Sequence, residues 1–263
     1  SVRISILGAT GYGGGELLRL ALASAGQFEV VHATSRTEAG VRVSRVHRNL
    51  YGLTDLEFSN PSAVEIAESS DVIIGALPHG ASAETLAPFV DQGKKVVDLS
   101  GDFRLRDAGT YHKWYGREHP RPDLLAKAVY GCTECNREKI ASAQLVAAPG
   151  CFATAINLAL LPAAAAGLVK GTPTVVAMTG SSGSGATAKE GTHHPTRAET
   201  LRPYKMLKHQ HTPEIIQLAA QVGGEIEGLS FIPVSVPIVR GIVAAVSVEL
   251  AGALDLAGAM DVY

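Results

Sequence analysis

The stretch that decides the fold is Val2–Gly14, which reads VRISILGATGYGG. Its first six residues are mostly apolar and rich in β-branched side chains, a composition that predicts a short buried strand. Glycines follow at positions 8, 11, 13 and 14, and a helical pattern runs over Gly13–Ala25. Glycines between a strand and a helix let backbone N–H groups approach a pyrophosphate at the positive end of the helix. The stretch therefore predicts a dinucleotide site, and a purely structural turn is the alternative.

The residues after the second predicted strand, Glu29–Thr34, indicate which dinucleotide binds. An NAD enzyme usually places Asp or Glu there for the ribose hydroxyls, whereas this chain has Ser35 and Arg36. A hydroxyl and a guanidinium suit a 2′-phosphate, so we predict NADP (NADPH), with a solvated arginine as the alternative. The cofactor contacts predicted from these patterns are Gly8, Thr10, Gly11, Tyr12, Gly13, Gly14, Ser35 and Arg36.

The rest of the first half alternates short apolar runs with helical patterns. Strands are predicted at Val72–Leu77 and Val96–Leu99, with a helix between them at Ala81–Gln92. This alternation is typical of βαβ units in a doubly wound parallel sheet. The segment from Gly101 to Gly131 is rich in Tyr, His, Pro and Arg, and it predicts an ordered loop with short helices.

A change of pattern after the strand predicted at Gln144–Ala148 marks a domain boundary. The later part has longer strands and one helix, predicted at Thr174–Met178, Ser230–Pro237, Ile242–Leu250 and Pro213–Val222 respectively. Such a mixture favours an α+β domain. We therefore predict an α/β protein, with a parallel-sheet nucleotide domain over residues 1–148 and an α+β domain with a mainly antiparallel sheet over residues 149–263.

Composition narrows the functional classes. Of the 263 residues, 46% are hydrophobic and 18% are charged, the mean hydropathy is +0.15, and the formal net charge is −2. This composition predicts a globular core and provides no positive field for nucleic acid. No apolar run reaches the roughly 20 residues of a membrane span, and no signal-peptide pattern opens the sequence. We expect a cytoplasmic protein that acts on a small molecule and binds neither nucleic acid nor a membrane.

The strongest candidate nucleophile is Cys151, in Pro149-Gly150-Cys151-Phe152-Ala153-Thr154-Ala155. It follows a predicted strand and opens a helical pattern. The dipole and the unpaired N–H groups at a helix N-terminus lower the pKa of a thiol and favour the nucleophilic thiolate. The alternative is a buried cysteine that acts only as a small hydrophobic residue.

A thiolate needs a base or proton donor, and His209 and His211 are the candidates. They precede a predicted helix start at Thr212-Pro213, so we expect them on a loop from which one of them reaches the thiol. A surface or capping histidine and a zinc pair are the alternatives.

Metal binding is a competing interpretation of the other cysteines and histidines. Cys132 and Cys135 form a C-x-x-C pair, and His193 is followed by His194. A structural zinc site needs a second close pair, which the sequence lacks, and adjacent histidines do not easily converge on one ion. A thioredoxin-like site would need a βαβ start around the cysteine pair. We therefore predict no metal site.

Two further residues are candidates for an anionic substrate. Arg104 follows the strand that ends at Leu99, and ligands of α/β proteins collect at the carboxyl ends of strands. Ser182 lies in Gly180-Ser181-Ser182-Gly183-Ser184-Gly185, a run of hydroxyl and N–H groups suited to a phosphate or carboxylate. A surface salt bridge and a flexible linker are the respective alternatives.

Six segments coincide with one family and run in its order over nearly the whole chain. They are Gly8–Glu16, Ala76-Leu77-Pro78-His79-Gly80, Leu99–Arg104, Tyr130-Gly131, Ala148–Ala155 and His209–Glu214. With these segments the chain resembles the N-acetyl-gamma-glutamyl-phosphate reductase family of the semialdehyde dehydrogenase superfamily. The cysteine segment is the most specific of the six.

The resemblance implies a Rossmann-like first domain and a second domain that carries the catalytic residues and the contact of a homo-oligomer, a dimer or tetramer. It implies NADPH-dependent reduction of N-acetyl-glutamyl phosphate in arginine biosynthesis, with Cys151 as the nucleophile and Pro78 at the cofactor. The acid/base histidine is His209 or His211, and the resemblance does not decide between them. The implied chemistry is thiolate attack on the acyl phosphate, loss of phosphate, hydride delivery to the thioester and release of the aldehyde.

The chain departs from the family at a few positions. Gly101 stands where many relatives have alanine, and Cys132 and Cys135 stand at positions where the family has other residues. The family also has a C-terminal segment that completes the second domain, and the resemblance implies that residues 1–263 lack it.

Other functions stay open on the sequence. Thr192–Arg197 also resembles the paralogous reductase of lysine biosynthesis, which acts on an aminoadipyl phosphate held on a small acidic protein. Aspartate-semialdehyde dehydrogenase shares the plan, but the surroundings of its cysteine match less well. A different class is an NADP-binding protein without turnover.

Overall fold

The computed structural model describes residues 1–263, which form two compact units. The first comprises residues 1–112 and 117–148, and the second comprises residues 113–116 and 149–263. The main division of the chain thus falls between Ala148 and Pro149, directly before Cys151. No helix is both long and apolar enough to cross a membrane.

The first unit contains a seven-stranded sheet in which every neighbouring pair is parallel. Its strands are β1 Val2–Leu7, β2 Phe28–Thr34, β3 Phe58–Ser59, β4 Val72–Gly75, β5 Lys95–Asp98, β6 Val129–Tyr130 and β7 Leu145–Ala147. Its helices are α1 Tyr12–Leu22, α2 Val43–Val46, α3 Ala63–Ser69, α4 Ser82–Asp91, α5 Ala108–Tyr115, α6 Pro122–Leu125 and α7 Thr133–Ser142; the last three residues of α5 belong to the second unit. The predicted Rossmann-like parallel sheet is confirmed.

The strand order, β3-β2-β1-β4-β5-β7-β6, places β1 third of the seven strands, with strands on both sides of it. Chain order reverses at β1, because β2 and β3 extend to one side of it and β4, β5 and β7 to the other. Four consecutive residues of β1, Ile4–Leu7, are buried, as expected of an inner strand with both faces covered. Ligands of doubly wound sheets bind at such a switch point, outside the carboxyl end of the strands, which is where the glycine turn lies.

Several short elements of this unit were not predicted. β3 and β6 have only two residues each, too few for a periodic pattern to appear. Helix α3 had a usable signal, because Ser62 and Glu65 form a reciprocal capping box at its start. Helix α7 has no clear apolar face, and Asn136 interrupts it with non-helical backbone angles.

The second unit contains a four-stranded sheet of order β11-β8-β10-β9. Its elements are α8 Cys151–Ala165, β8 Val169–Thr179, α9 His194–Arg197, β9 Arg202–Pro203, α10 Thr212–Gln221, β10 Ser230–Ser235, β11 Ile242–Leu250 and α11 Leu256–Val262. β10 pairs with β8 in parallel, and the other two pairs are antiparallel, which confirms a mixed, mainly antiparallel sheet. β8 begins five residues before the strand predicted at Thr174. The additional part contains Pro173, which lacks an N–H for the ladder and is uncommon inside a strand. It is accommodated here beside an irregularity in the register with β11.

The core of the second unit lies between one face of this sheet and helices α8 and α10. Alternate residues of β8, including Val175 and Ala177, are buried with Phe231 of β10. From α8, Phe152 and Ile156 pack into the same cluster. The helix that begins with Cys151 is therefore anchored along its length, so its first residue is held in one position.

Candidate active site

Cys151 is the first residue of α8, and its side chain is exposed. Gly150 is the N-cap residue and has no side chain to cap the helix, and the first turn of α8 contains no acidic residue. The unpaired N–H groups and the positive dipole end of the helix therefore favour the charged form of the sulfur. The interpretation of Cys151 as an inert, buried residue does not fit its exposure.

His211 lies directly against the residue that precedes the thiol. A Cβ atom added to Gly150 would lie only 2.4 Å from Nε2 of His211. Glycine at position 150 is therefore required for the close approach of this imidazole to the start of α8. His211 is itself the N-cap residue of α10, so the starts of two helices converge at this point.

Glu214 completes the cluster, and the sequence alone did not single it out. Its carboxylate is fully buried and accepts a hydrogen bond of 3.0 Å from the N–H of Gly150. One carboxylate oxygen lies 3.9 Å from Nε2 of His211, within the range of an ion pair when the imidazole is protonated. The sequence signal, Thr212-Pro213-Glu214, is typical of any helix start, where an acidic residue in the first turn is common.

His209 has a different environment from His211. Both histidines are buried, but their contacts differ. The Nδ1 of His209 accepts a hydrogen bond from the backbone N–H of His211, so the proton of His209 is on Nε2. Burial, with a smaller contribution from the charge of Lys205, lowers the pKa of His209 to about 4. Four rings contact it edge-on, those of Phe152, Tyr204, Phe231 and His211. His209 is therefore a neutral residue that supports the loop of His211.

The buried, neutral state of His209 predicts sensitivity to acid. Its pKa is about 4 in the folded chain, against 6.5 for a histidine in water. Between pH 4 and pH 6.5 the unfolded chain therefore binds more protons than the folded chain. The contribution of neutral His209 to the free energy of unfolding is present above pH 6.5 and is lost as the pH falls towards 4. We expect a loss of roughly 3 kcal/mol in unfolding free energy over this window. Urea unfolding at several pH values measures it, and His209→Gln should flatten the pH dependence; an unchanged slope would contradict the assignment.

In the first unit, the glycine turn after β1 rests on the ends of two neighbouring strands. Gly8 has a φ of +79°, and a Cβ there would lie 2.6 Å from the carbonyl oxygen of Ala76. Its N–H donates to Oγ1 of Thr34, and the N–H of Ala9 donates to the Thr34 carbonyl. Only glycine satisfies both the left-handed backbone and this close contact.

The predicted cofactor contacts on the turn divide into two groups. Gly14 is buried inside α1, where the backbone of Ala9 leaves no room for a Cβ atom, and its contact with the cofactor stays a prediction. Gly11 is the N-cap residue of α1, has no side-chain cap and has open space around its Cα atom. Tyr12 is exposed, and Thr10 is half-buried. The open backbone at the start of α1 fits a dinucleotide pyrophosphate.

Ser35 and Arg36 follow β2 as predicted, but their side chains have different environments. The Ser35 side chain is buried, and its hydroxyl accepts a hydrogen bond from the N–H of Glu38. Arg36 is exposed beside it. Ser35 therefore shapes the turn that presents Arg36, and the guanidinium is the group available to a phosphate.

Two buried aspartates hold the loops after β4 and β5. The Asp102 carboxylate accepts hydrogen bonds from the backbone N–H groups of Gly80 (2.7 Å) and Ala83 (3.0 Å). Asp98 accepts hydrogen bonds from the hydroxyls of Ser82 and Ser100, both at 2.6 Å, and burial raises its pKa. These contacts fix the 78–80 loop, which carries the predicted cofactor residue Pro78. Neither carboxylate was identified from the sequence.

The two predicted substrate residues, Arg104 and Ser182, both form hydrogen bonds to backbone groups of neighbouring segments. Arg104 is buried, and its guanidinium donates to the carbonyl oxygens of Ala148 and Leu99, each at 2.8 Å. The surface salt bridge considered as an alternative is therefore wrong. Ser182 is half-buried in a 3₁₀ turn, Ser181–Ser184, and its N–H donates to the carbonyl of Val239. This segment is folded rather than a free linker, and substrate contact by both residues stays a prediction.

No three His, Cys, Asp or Glu side chains are grouped as ligands of a metal ion.

Residues 3–143 match the family model described as "Semialdehyde dehydrogenase, NAD binding domain", and residues 151–263 match "Semialdehyde dehydrogenase, dimerisation domain". The chain belongs to the semialdehyde dehydrogenase family. It is an oxidoreductase whose first unit is a nicotinamide-dinucleotide-binding domain.

The relatives of this semialdehyde dehydrogenase carry two kinds of name. A Pyrobaculum calidifontis protein named as a LysW-L-2-aminoadipate/LysW-L-glutamate phosphate reductase is 47% identical over 242 residues, covering 91% of this chain and 68% of the relative. The N-acetyl-gamma-glutamyl-phosphate reductase of Saccharophagus degradans is 44% identical over 255 residues, covering 95% and 73%. The resemblance to the latter family is thereby confirmed.

Among solved structures, aspartate semialdehyde dehydrogenase II of Vibrio cholerae has the same fold. It superimposes with a TM-score of 0.74 at 17% identity, covering all of this chain and 78% of that structure. This similarity establishes the architecture of the semialdehyde dehydrogenase chain.

Proposed function

We propose that this semialdehyde dehydrogenase reduces N-acetyl-gamma-glutamyl phosphate to N-acetylglutamate 5-semialdehyde in arginine biosynthesis, using NADPH and releasing phosphate through a thioester on Cys151. The observation that carries the proposal is the exposed Cys151 at the start of α8, with His211 and Glu214 packed around the preceding Gly150. The names of the relatives support the coarser class, a phosphate reductase.

In the first half of the reaction, the chain supplies the nucleophile. The helix terminus stabilises the Cys151 thiolate, and His211 accepts the thiol proton. The sulfur attacks the acyl carbon, and the bond from that carbon to the phosphate oxygen breaks, so phosphate leaves and a thioester forms. Glu214 orients the imidazole and stabilises its protonated form, because its buried carboxylate is fixed by the Gly150 N–H.

In the second half, a nicotinamide dinucleotide held at the glycine turn of Gly8 and Gly11 would supply the hydride that reduces the thioester carbon. The bond from sulfur to carbon then breaks, the aldehyde leaves and the thiol is restored. His211 is the group that returns the proton, since His209 is held neutral by burial and has a pKa of about 4. We therefore assign the acid/base role to His211 and a supporting role to His209.

We propose NADP rather than NAD because Arg36 is presented, exposed, at the end of β2. Arg36→Asp should raise the ratio of the Kd for NADP to the Kd for NAD about 10- to 100-fold, since it removes an ion pair with the 2′-phosphate and adds repulsion. Titration with both cofactors measures the ratio. Arg137→Asp is the matched control, because this exposed arginine lies on α7, next to the opposite edge of the sheet. An unchanged ratio for Arg36→Asp would refute the assignment.

The proposed activity is tested in the reverse direction. Purified protein is mixed with NADP, phosphate and N-acetylglutamate 5-semialdehyde, and formation of NADPH is followed by absorbance. We expect turnover that requires phosphate. Cofactor binding without turnover would refute the proposal and favour the NADP-binding protein without catalysis.

The second candidate is reduction of an aminoadipyl phosphate held on a carrier protein, as in lysine biosynthesis. It is favoured by the 47% identity to the Pyrobaculum calidifontis reductase and by the segment Thr192–Arg197. The chemistry at Cys151 is the same for both substrates. Comparing kcat/KM for N-acetylglutamate 5-semialdehyde and for its carrier-bound, one-carbon-longer analogue discriminates between them.

We also propose that the chain forms a homo-oligomer, at least a dimer, through the open face of its second sheet. Val243 (65% exposed) and Met178 (39% exposed) are paired neighbours on this face, beside Ala245 and Val176. Val243→Lys should convert the assembly to monomers, because it places a charge in the apolar interface. Light scattering measures the mass, and Val64→Lys, at a valine 62% exposed on α3, is the control. A Val243→Lys protein of unchanged mass would contradict this interface.

A cytoplasmic location fits this chemistry. No disulfide joins any of the three cysteines, and the proposed thioester requires a reduced Cys151. A reducing compartment maintains such thiols. Fractionation of cells that express the chain tests the location.

A further inference from the structure

The two cysteines that the proposed reaction does not use lie in contact with each other. Sγ of Cys132 is 3.8 Å from Sγ of Cys135, and both thiols are free. Cys132 is buried, whereas Cys135 is partly exposed at the start of α7. In such a pair, the accessible sulfur can attack an external disulfide to form a mixed disulfide. The second sulfur can then attack the first and release the external thiol.

We propose that Cys132 and Cys135 form a reversible dithiol–disulfide site, oxidised by low-molecular-weight disulfides such as oxidised glutathione and separate from the thiol of Cys151. The pair belongs to the nucleotide-binding unit, and Cys151 belongs to the other unit. The reduced site takes a small disulfide as its substrate and donates two electrons to it. It does not depend on the function proposed above.

The backbone of the pair already has the form that a short disulfide loop needs. The N–H groups of Cys135 and Asn136 both donate to the carbonyl of Cys132, at 3.2 and 2.9 Å, which brings the two Cα atoms within one turn. The Asn136 side chain donates to the carbonyl of Tyr130 at 2.9 Å and is buried. The turn is thus held on both sides. Closing the bond brings the two sulfur atoms from 3.8 Å to about 2.05 Å.

The two thiols have distinct parts in the exchange. Burial, with the neighbouring Cys135 as a further cause, raises the pKa of Cys132 to about 12, so Cys132 is a protonated thiol until its partner reacts. Its sulfur lies 3.8 Å from the sulfur of Cys135 and 3.7 Å from a carboxylate oxygen of Glu134, so either atom is within reach of its S–H. Cys135 is therefore the attacking residue, and Cys132 is the resolving residue.

The reaction balances in two exchange steps. The Cys135 sulfur attacks oxidised glutathione, which forms a mixed disulfide and releases one glutathione thiol. The Cys132 sulfur then attacks the Cys135 sulfur, its proton passing by way of Glu134 to the second leaving glutathione. The protein dithiol is oxidised to a disulfide, and one oxidised glutathione is reduced to two thiols. A dithiol reductant reverses both steps.

Peptide mass spectrometry tests the site on the whole protein. Trypsin releases Ala128–Arg137, which contains both Cys132 and Cys135, and Ile140–Lys170, which contains Cys151. After equilibration with oxidised glutathione, acid quenching and alkylation, we expect the first peptide to have lost two hydrogen atoms and to carry no glutathione. We expect the second peptide to carry a glutathionyl group, since it has no second cysteine. Dithiothreitol should restore the dithiol of Cys132 and Cys135 and the thiol of Cys151.

Single variants separate the two roles. Cys132→Ser should leave a stable glutathionyl group on Cys135, because nothing resolves it. Cys135→Ser should slow the reaction of position 132 at least about tenfold, since that thiol is buried. The wild-type result decides the matter if either variant fails to fold. A persistent glutathionyl group on Ala128–Arg137 of the wild type, or an unmodified dithiol there while Cys151 reacts, would overturn the proposal.

Discussion

Cys151→Ser is expected to lower kcat by more than about a thousandfold. The hydroxyl of serine stays protonated at the start of α8, because an alcohol is a far weaker acid than the thiol that the helix terminus and His211 are proposed to ionise. A serine ester would also release the acyl group less readily than a thioester during reduction. Because Cys151 lies outside residues 3–143 of the dinucleotide domain, the Kd for NADP should change by no more than a few fold.

Steady-state kinetics with N-acetylglutamate 5-semialdehyde, NADP and phosphate measures this loss. Cys135→Ser is the matched control, because it removes one sulfur atom from a partly exposed position that has no part in the proposed reaction. Its kcat should stay within about twofold of the wild type. Retention of turnover by Cys151→Ser would refute the thioester mechanism. A rapid burst of iodoacetamide labelling at Cys151, ahead of Cys132 and Cys135, is the supporting observation.

His211→Gln is expected to lower kcat about 10²- to 10³-fold, since it removes the group that takes and returns the proton of Cys151. Glutamine keeps a hydrogen-bonding side chain near Gly150 but has no titratable nitrogen. The pH dependence of kcat/KM should therefore lose the limb that belongs to this imidazole. His209→Gln, the matched control, should retain that limb, because the pKa of His209 is about 4 and its ring is surrounded by aromatic side chains.

Kinetics over roughly pH 6 to 9 with both variants discriminates between the two histidines. Circular dichroism and unfolding in urea establish that each variant is folded, which matters because His209 is buried. If His209→Gln abolished the pH limb and His211→Gln preserved it, the assignment of roles would be reversed.

Features that depend on neighbouring residues in the sequence could be predicted, whereas features that depend on contacts between distant positions could not. The glycine turn at Gly8 and the start of α8 at Cys151 were predicted correctly, because each is specified by residues next to it in sequence. The partnership of Gly150, His211 and Glu214 could not be predicted, since it joins positions about 60 apart through contacts of a few ångströms. Helix α7 and strand β6 were missed because they are short or lack an apolar period.

Local sequence was enough to specify a parallel nucleotide-binding sheet, a candidate nucleophile at a helix start and a mixed second sheet, because all three depend on periodicity and turn chemistry. The proposed choice of His211 over His209 rests on the folded chain, because both imidazoles are buried and His211 is the one packed against Gly150 and Glu214. The folded chain also revealed that Arg104 ties two backbone segments together and that Cys132 touches Cys135. Those outcomes depend on which groups folding brings within a few ångströms and removes from water, and that information is distributed over the whole chain.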